Sequence, residues 1–132
     1  MNGNTICRDF DVESGLALNS ESELKLENGF AAFTKDFFDN GAYVIENNQT
    51  HEVSLRDPAG KNYLNVYFPE APLFGLWSAE KKNAPYAAIE PWFGRCDKED
   101  FNGSLEEREW GHALAQGACF QAAYTIEIAG ED

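Results

Sequence analysis

The middle of the chain carries the pattern of a β-hairpin. From 51 to 56, polar and apolar residues alternate, with Val53 and Leu55 on one side of the chain, and residues 63–68 alternate in the same way. Between them, Asp57-Pro58-Ala59-Gly60 supplies a turn, because proline presets φ and glycine tolerates a positive φ. A period of two on both sides of a turn predicts a pair of half-buried antiparallel strands.

The rest of the chain repeats this strand pattern. In the segment 120–128, Phe120, Tyr124, Ile126 and Ile128 share one face, which predicts a second strong strand. Weaker strand candidates are 23–27, 42–46, 73–77 and 86–90. Phenylalanines at helical spacing predict one short helix over 30–38. These patterns predict an all-β protein, an antiparallel β-sandwich in which residues 1–132 form one domain.

The charge of the chain restricts its partners. Acidic residues number 23 and basic residues 10, which gives a formal net charge of -13. Such a surface repels phosphate backbones and anionic lipid, so we expect no nucleic-acid or membrane partner. A neutral small molecule is the better match. The first ten residues lack a basic start and an apolar run, and no apolar stretch reaches about 18 residues, so neither a signal peptide nor a membrane span is predicted.

The cysteines point to a reducing compartment. Cys7, Cys96 and Cys119 are odd in number and widely spaced, without a CxxC pair. This arrangement predicts neither a disulfide framework nor a zinc site. Free thiols are typical of cytoplasmic proteins, so we expect a cytoplasmic location.

Glu90 is the candidate catalytic residue. It closes the apolar run 87–89 and precedes Pro91, which pushes Glu90 into extended backbone at a strand end or at an edge. A carboxylate flanked by aromatic side chains is suited to act as a base in a sugar-binding cleft. Spacing alone favours the plainer interpretation, a surface carboxylate beside core aromatics. The aromatic candidates for substrate binding are Trp77, Tyr86, Trp92 and Phe93.

A longer motif around Glu90 carries a family resemblance. It consists of Ile89-Glu90-Pro91-Trp92-Phe93-Gly94, preceded by Gly75-Leu76-Trp77-Ser78 and Ala84-Pro85-Tyr86. This region resembles the C-terminal part of aldose 1-epimerase-like proteins, and in particular the bacterial sequences related to galactose mutarotase. The resemblance runs from about Asn40 to Ile128, which corresponds to roughly the second half of a family member.

The resemblance implies a fold and an activity. Family members are large twisted antiparallel β-sandwiches that interconvert the α and β anomers of free hexoses such as glucose or galactose, without a metal or organic cofactor. The family's general base matches Glu90, and its proton-donating histidine lies in an N-terminal half that has no counterpart here. His51 and His112 match no family histidine, so we interpret both as surface residues.

The same resemblance makes this chain a single partial domain. A C-terminal portion alone leaves sheet edges unpaired, and exposed edges pair with other chains. The resemblance therefore predicts self-association or a partner that supplies the missing N-terminal half. One departure from the family pattern is Gly41-Ala42, where relatives carry Asp-Ala or Asp-Thr, with Asp39 nearby but out of register.

Three interpretations of function remain open. The chain is a portion of a mutarotase that needs its missing half, a carbohydrate-binding relic without catalysis, or a glycosidase. A glycosidase needs two carboxyl groups about 5–10 Å apart, and Asp97 is the one candidate partner for Glu90. Otherwise, Asp97 and Arg95 are expected to pair with each other in solvent, and the run 106–109 is expected to be a solvated turn.

Overall fold

The computed structural model describes residues 4–130 of the protein. Within this range the chain forms eight β-strands and a short 3-10 helix at Leu105–Glu107. The strands are β1 Thr5–Phe10, β2 Ala17–Leu24, β3 Tyr43–Ile45, β4 Glu52–Arg56, β5 Asn62–Tyr67, β6 Leu73–Trp77, β7 Ala88–Trp92 and β8 Thr125–Ile128. No helix in the described part of the chain has the length and apolar character needed to cross a membrane.

The strands form two antiparallel sheets. One has five strands in the order β2-β1-β3-β6-β7, and the other has three in the order β4-β5-β8. Cys7, Ile45 and Phe74 are paired across β1, β3 and β6, so their side chains point to the same side of the larger sheet. They pack there with Val66 of β5 and with Phe68. The prediction of an all-β antiparallel sandwich is confirmed.

The hairpin predicted from the alternating segments is present as β4 and β5. Val53 pairs with Val66 and Leu55 with Leu64, so the apolar residues of the two strands meet on one face. In the turn, Gly60 has a φ of 86°, which glycine adopts without steric cost. Sequence and structure agree here because both strand periodicity and turn chemistry are local properties.

The predicted helix over 30–38 is wrong. The segment is a series of turns in which the amides of Phe37, Asp39 and Gly41 each donate to the carbonyl three residues earlier. The phenylalanines still cluster, since the Phe37 ring lies 5.0 Å from that of Phe33 and 4.8 Å from that of Tyr43. The spacing of the phenylalanines therefore reflects an aromatic cluster within a series of turns, and not the apolar face of a helix.

The predicted strand over 120–128 is shorter than expected. Only Thr125–Ile128 is paired, and the pairing starts where Thr125 meets Tyr67, the last residue of β5. Residues 120–124 therefore have no strand beside them. The other strand predictions hold at 73–77 and over most of 42–46, whereas the predicted strand at 86–90 begins and ends two residues later, and that at 23–27 overlaps β2 only at its end.

Candidate functional site

Glu90 lies in the middle of β7, the edge strand of the larger sheet, and its side chain is half-buried. Side chains alternate between the two faces of a strand, so Glu90 shares its face with Ala88 and Trp92. Ile89 points the other way and packs against the core. Pro91 is tolerated because an edge strand pairs on one side only, which agrees with the edge position that the Glu90-Pro91 sequence predicts.

Cross-strand pairing extends this face over four strands. Glu90 lies opposite Gly75, Gly75 opposite Val44, and Val44 opposite Arg8. Directly paired residues point to the same side of a sheet, so these four residues form one row. We call the side of the sheet that carries this row the Glu90 face; the opposite side is the one that packs on the smaller sheet.

The indole of Trp92 orients the Glu90 carboxylate. Its Nε1–H donates a hydrogen bond to Oε2 of Glu90 at 3.2 Å. The indole ring crosses over Gly75, where an added Cβ atom would lie 2.8 Å from Cζ2 of Trp92. This separation is too short for a carbon–carbon contact. The backbone at Gly75 does not have a positive φ, so the indole and not the backbone conformation requires glycine there.

Trp77 and Tyr86 form a second aromatic pair farther along the sheet. Trp77 is paired with Ala88 and so lies on the Glu90 face, and its ring centroid is 6.1 Å from that of Tyr86. Tyr86 lines a cavity of about 250 Å³ between the turns of 33–39, the loop 78–87 and the β4–β5 hairpin. Glu90 does not line this cavity, so the cavity does not contain the candidate carboxylate.

Phe93, the fourth aromatic candidate, lies in a different environment. It packs against the core cluster, and its ring meets that of Phe120 edge-to-face at 5.5 Å. The ring of His112 lies 5.0 Å from that of Phe120. Of the four aromatic candidates, the structure therefore brings Trp92 into contact with Glu90, sets Trp77 and Tyr86 apart as a pair, and uses Phe93 in packing.

Neither histidine bonds to Glu90 among the contacts of residues 4–130. His51 is half-buried, and its Nδ1 lies 3.2 Å from the carbonyl oxygen of Phe68. His112 is exposed, and its Nε2 is hydrogen-bonded to the carbonyl oxygen of Phe93. His112 is exposed, as expected for a surface residue, whereas His51 is partly covered and helps to hold the start of β4 against the end of β5.

A buried ion network, which the sequence analysis missed, lies on the Glu90 face. Glu46 is 4% exposed, and it continues the alternation two residues after Val44. One of its oxygens accepts from Nε of Arg95, and the other accepts from Nε of Arg8 at 3.4 Å. The side chain of Arg95 is only 1% exposed and also donates to Glu109. The sequence contains one signal for the burial of Glu46, since this residue directly follows the apolar residues of β3.

The expected solvent-exposed pair between Arg95 and Asp97 is therefore wrong. Asp97 accepts instead from Nε of Arg108 at 2.7 Å. The run 106–109 is not simply a solvated turn either, because Glu109 bridges Arg95 and Lys98, the latter at 3.1 Å. Closeness in sequence suggested that Arg95 pairs with Asp97. The segment after β7 instead folds back onto the larger sheet, so that Arg95 pairs with Glu46 and Asp97 with Arg108.

The network shifts the proton affinities of two of its members. Burial alone would lower the pKa of Arg95, but the hydrogen bonds and charges of Glu46 and Glu109 outweigh burial and raise it. Burial alone would raise the pKa of Glu109, and the hydrogen bonds from Arg95 and Lys98 outweigh it and lower it. Both groups are thus held in their charged forms.

Comparison with solved structures identifies the class of protein: an antiparallel β-protein with the galactose mutarotase-like fold. A scan against protein families and a search of curated proteins give no match. A galactose mutarotase related enzyme from Lactobacillus acidophilus matches 98% of this chain with 27% identity and a TM-score of 0.82. A galactose mutarotase-like protein from Lactobacillus casei matches 98% with 20% identity and a TM-score of 0.75.

This chain spans less than half of either structure, 43% of the first and 44% of the second. That coverage is consistent with a portion of the complete fold. The resemblance that the Glu90-Pro91-Trp92 motif indicates is confirmed by these structural neighbours.

Proposed function

We propose that this chain is the C-terminal portion of a mutarotase-like enzyme that interconverts the α and β anomers of free hexoses such as glucose or galactose, with Glu90 as general base. The observation that carries the proposal is the Glu90–Trp92 pair on the edge strand. A half-buried carboxylate is held there in one orientation by an indole N–H. Fixed orientation of the base is what proton transfer requires.

The proposed chemistry is a proton exchange without net oxidation. Glu90 takes the proton from the anomeric hydroxyl, the C1–O1 bond becomes a carbonyl, the bond from C1 to the ring oxygen breaks, and an acid protonates that oxygen. Rotation about C1–C2 and closure on the other face of the carbonyl reverse the proton transfers. Trp92 and Trp77 share the Glu90 face, and aromatic faces suit the C–H faces of a sugar. The chemistry calls for no cofactor.

The acid in this scheme is proposed to come from outside the chain. Among the described residues, neither histidine is hydrogen-bonded to Glu90: His51 bonds the carbonyl of Phe68, and His112 bonds that of Phe93. More than half of the Lactobacillus acidophilus chain has no counterpart here. A histidine in that complementary portion would complete the acid–base pair.

A second candidate function is sugar binding without turnover. The same histidine positions favour it, because a base without an acid can orient a sugar hydroxyl but does not complete ring opening. A glycosidase is disfavoured, since the carboxylate of Asp97 is already held by Arg108 at 2.7 Å. The three free thiols, Cys7, Cys96 and Cys119, favour a cytoplasmic location for either function.

Polarimetry tests the proposal. The decay of optical rotation of fresh α-glucose and α-galactose is followed with the wild-type chain, with Glu90→Gln, and with Glu13→Gln as a control on an exposed turn, each in the presence of the portion of the Lactobacillus acidophilus enzyme that lies outside its match to this chain. For a mutarotase we expect acceleration by the wild type and the control, and a loss of about 10²- to 10⁴-fold in Glu90→Gln. Acceleration that survives in Glu90→Gln contradicts the role of Glu90.

A tryptophan fluorescence titration with the same hexoses separates the two candidates. Saturation without acceleration supports the binding function, and Trp92→Phe should then abolish most of the signal change. If millimolar hexose does not change the fluorescence, and mutarotation is not accelerated in the presence of the complementary portion, both candidate functions are rejected.

A further inference from the structure

The cavity beside Tyr86, here called the Tyr86 cavity, is separate from the candidate catalytic carboxylate, since Glu90 is not among its lining residues. It has a volume of about 250 Å³ and lies between the turns of 33–39, the loop 78–87 and the β4–β5 hairpin. An apolar cavity of about 150 Å³ holds one benzene molecule, and pockets for drug-sized ligands start at about 300 Å³. The Tyr86 cavity therefore has room for a molecule with one ring and a small polar group.

Aromatic side chains from three segments converge on this cavity. Phe33 comes from the turns, Tyr63 from β5 and Tyr86 from the loop, and they are 47%, 48% and 51% exposed. Apolar side chains scattered singly over a surface are ordinary, but a group of them around a cavity is typical of a ligand-binding groove. Their flat rings suit a flat apolar ligand, with which they can stack with an offset or pack edge-to-face.

The charges that line the cavity have the opposite sign to the chain as a whole. Lys35 and Lys81 contribute two positive charges and Asp39 one negative charge, a net charge of +1, whereas the whole chain has a net charge of -13. Within residues 4–130, no ion pair includes either lysine. A cleft with a locally positive field attracts an anion. A single carboxylate matches this balance, since a second negative charge would face Asp39.

The backbone of the loop 78–87 is strained where it contributes to the cavity. Lys81 has a φ of 53° and Asn83 a φ of 44°, both in the left-handed region. Asparagine tolerates this region, but it costs lysine free energy because the Cβ atom comes too close to the following carbonyl oxygen. Lys81 and Asn83 both line the cavity, whereas Lys82 between them does not. Backbone strain of this kind is concentrated at active sites and ligand sites, so the strain at Lys81 supports a binding role for the loop.

We propose that the Tyr86 cavity binds a small carboxylate that carries one flat apolar ring. The ring lies among the three exposed aromatic side chains, and the carboxylate accepts hydrogen bonds from the ammonium groups of Lys35 and Lys81. This binding is independent of the proposed hexose chemistry, because Glu90 does not line the cavity. A lack of mutarotation in polarimetry therefore leaves the carboxylate site standing, and a failure to bind a carboxylate leaves the proposed role of Glu90 unchanged.

Benzoate is the probe, and its binding is followed through the backbone amide resonances of the full chain in nuclear magnetic resonance spectra. We expect saturable shifts at millimolar benzoate, concentrated in residues 33–39 and 78–87, while the amide resonances of β1 keep their positions. Benzyl alcohol has the same ring without the charge, and acetate has the charge without the ring. Each should bind at least about tenfold more weakly than benzoate, because each lacks one of the two interactions.

Paired variants test the two lysines. Lys35→Gln combined with Lys81→Gln should weaken benzoate binding about tenfold. The matched control, Lys25→Gln combined with Lys82→Gln, removes the same charge from exposed lysines outside the cavity and should change the affinity by less than about twofold. All four side chains are exposed, so both variants should keep the dispersed spectrum of the folded chain. The proposal is overturned if benzoate gives no saturable shifts or shifts outside the cavity, if benzyl alcohol or acetate binds as tightly, or if the control weakens binding as much as the cavity pair.

Discussion

Gly75→Ala adds a single methyl group beneath the indole of Trp92. The added carbon would lie 2.8 Å from Cζ2, 3.2 Å from Cε2 and 3.3 Å from Cη2 of the ring. All three contacts fall on a rigid aromatic system, so the ring must move as a whole. Because the indole N–H holds Oε2 of Glu90 at 3.2 Å, the same movement disturbs the carboxylate.

Overpacking of this kind costs about 1–3 kcal/mol. For a chain of 132 residues, each kcal/mol corresponds to about 3.6 °C in Tm. We therefore expect Gly75→Ala to lower the Tm by about 4–11 °C. A gain in stability would be expected if the ring were absent, because glycine inside a strand is less stable than alanine by about 0.5–1 kcal/mol.

A double-mutant cycle with Trp92→Phe isolates the cause. Phenylalanine lacks the benzo ring to which Cζ2 and Cη2 belong, so Gly75→Ala in that background should cost less than about 0.5 kcal/mol or stabilise the fold. Thermal unfolding followed by circular dichroism gives all four values. Gly130→Ala, which meets no atom within 4 Å, is the control for the added methyl group. Equal destabilisation by Gly75→Ala with and without the indole would refute the packing argument.

Two further predictions concern the buried ion network. Glu46→Ala leaves Arg95 and Arg8 without a shared carboxylate and should lower the free energy of unfolding, measured in urea, by about 3–5 kcal/mol. The control, Glu21→Ala, removes an exposed partner of Arg8 and should cost less than about 1 kcal/mol. Equal costs for the two variants would contradict a buried network. The pKa of Glu109 is lower in the folded state than in the unfolded chain, where it is about 4.3. The ionised Glu109 therefore stabilises the fold at pH values above about 4.3, and this stabilisation is lost as the pH falls through the lower pKa of the folded state. Glu109→Gln should therefore flatten the fall in stability on acidification, and an unchanged pH profile would argue against this coupling.

Local patterns predicted the parts of the fold whose causes are local. The β4–β5 hairpin follows from alternation around Asp57–Gly60, and the edge position of β7 follows from Pro91. The strands β1 and most of β2 escaped prediction, because residues such as Asn19, Ser20 and Glu21 are polar and exposed. Their pairing depends on neighbours that the sequence does not reveal.

The candidate site was predictable in part for the same reason. The contact between Glu90 and Trp92 joins residues two apart on one strand, so spacing suffices to place them together. The partnership of Arg95 with Glu46 joins residues 49 apart, and no local pattern predicts it. Phe93, although next to Trp92, faces the opposite way into packing, as strand alternation implies for an adjacent residue.

The pairing of β5 with β8 has a consequence for the order in which the chain folds. The β4–β5 hairpin closes over a short turn, whereas Leu64 and Ile128 must meet across more than sixty intervening residues. Closing so long a loop is entropically costly and slow. With no buried side chain to hold it, β8 should attach last and detach first, so its amides should exchange with solvent long before those of β3 and β6. The smaller sheet would then gain its third strand only after the larger sheet has formed, and a partly unfolded form that lacks only β8 would be the first to appear on heating.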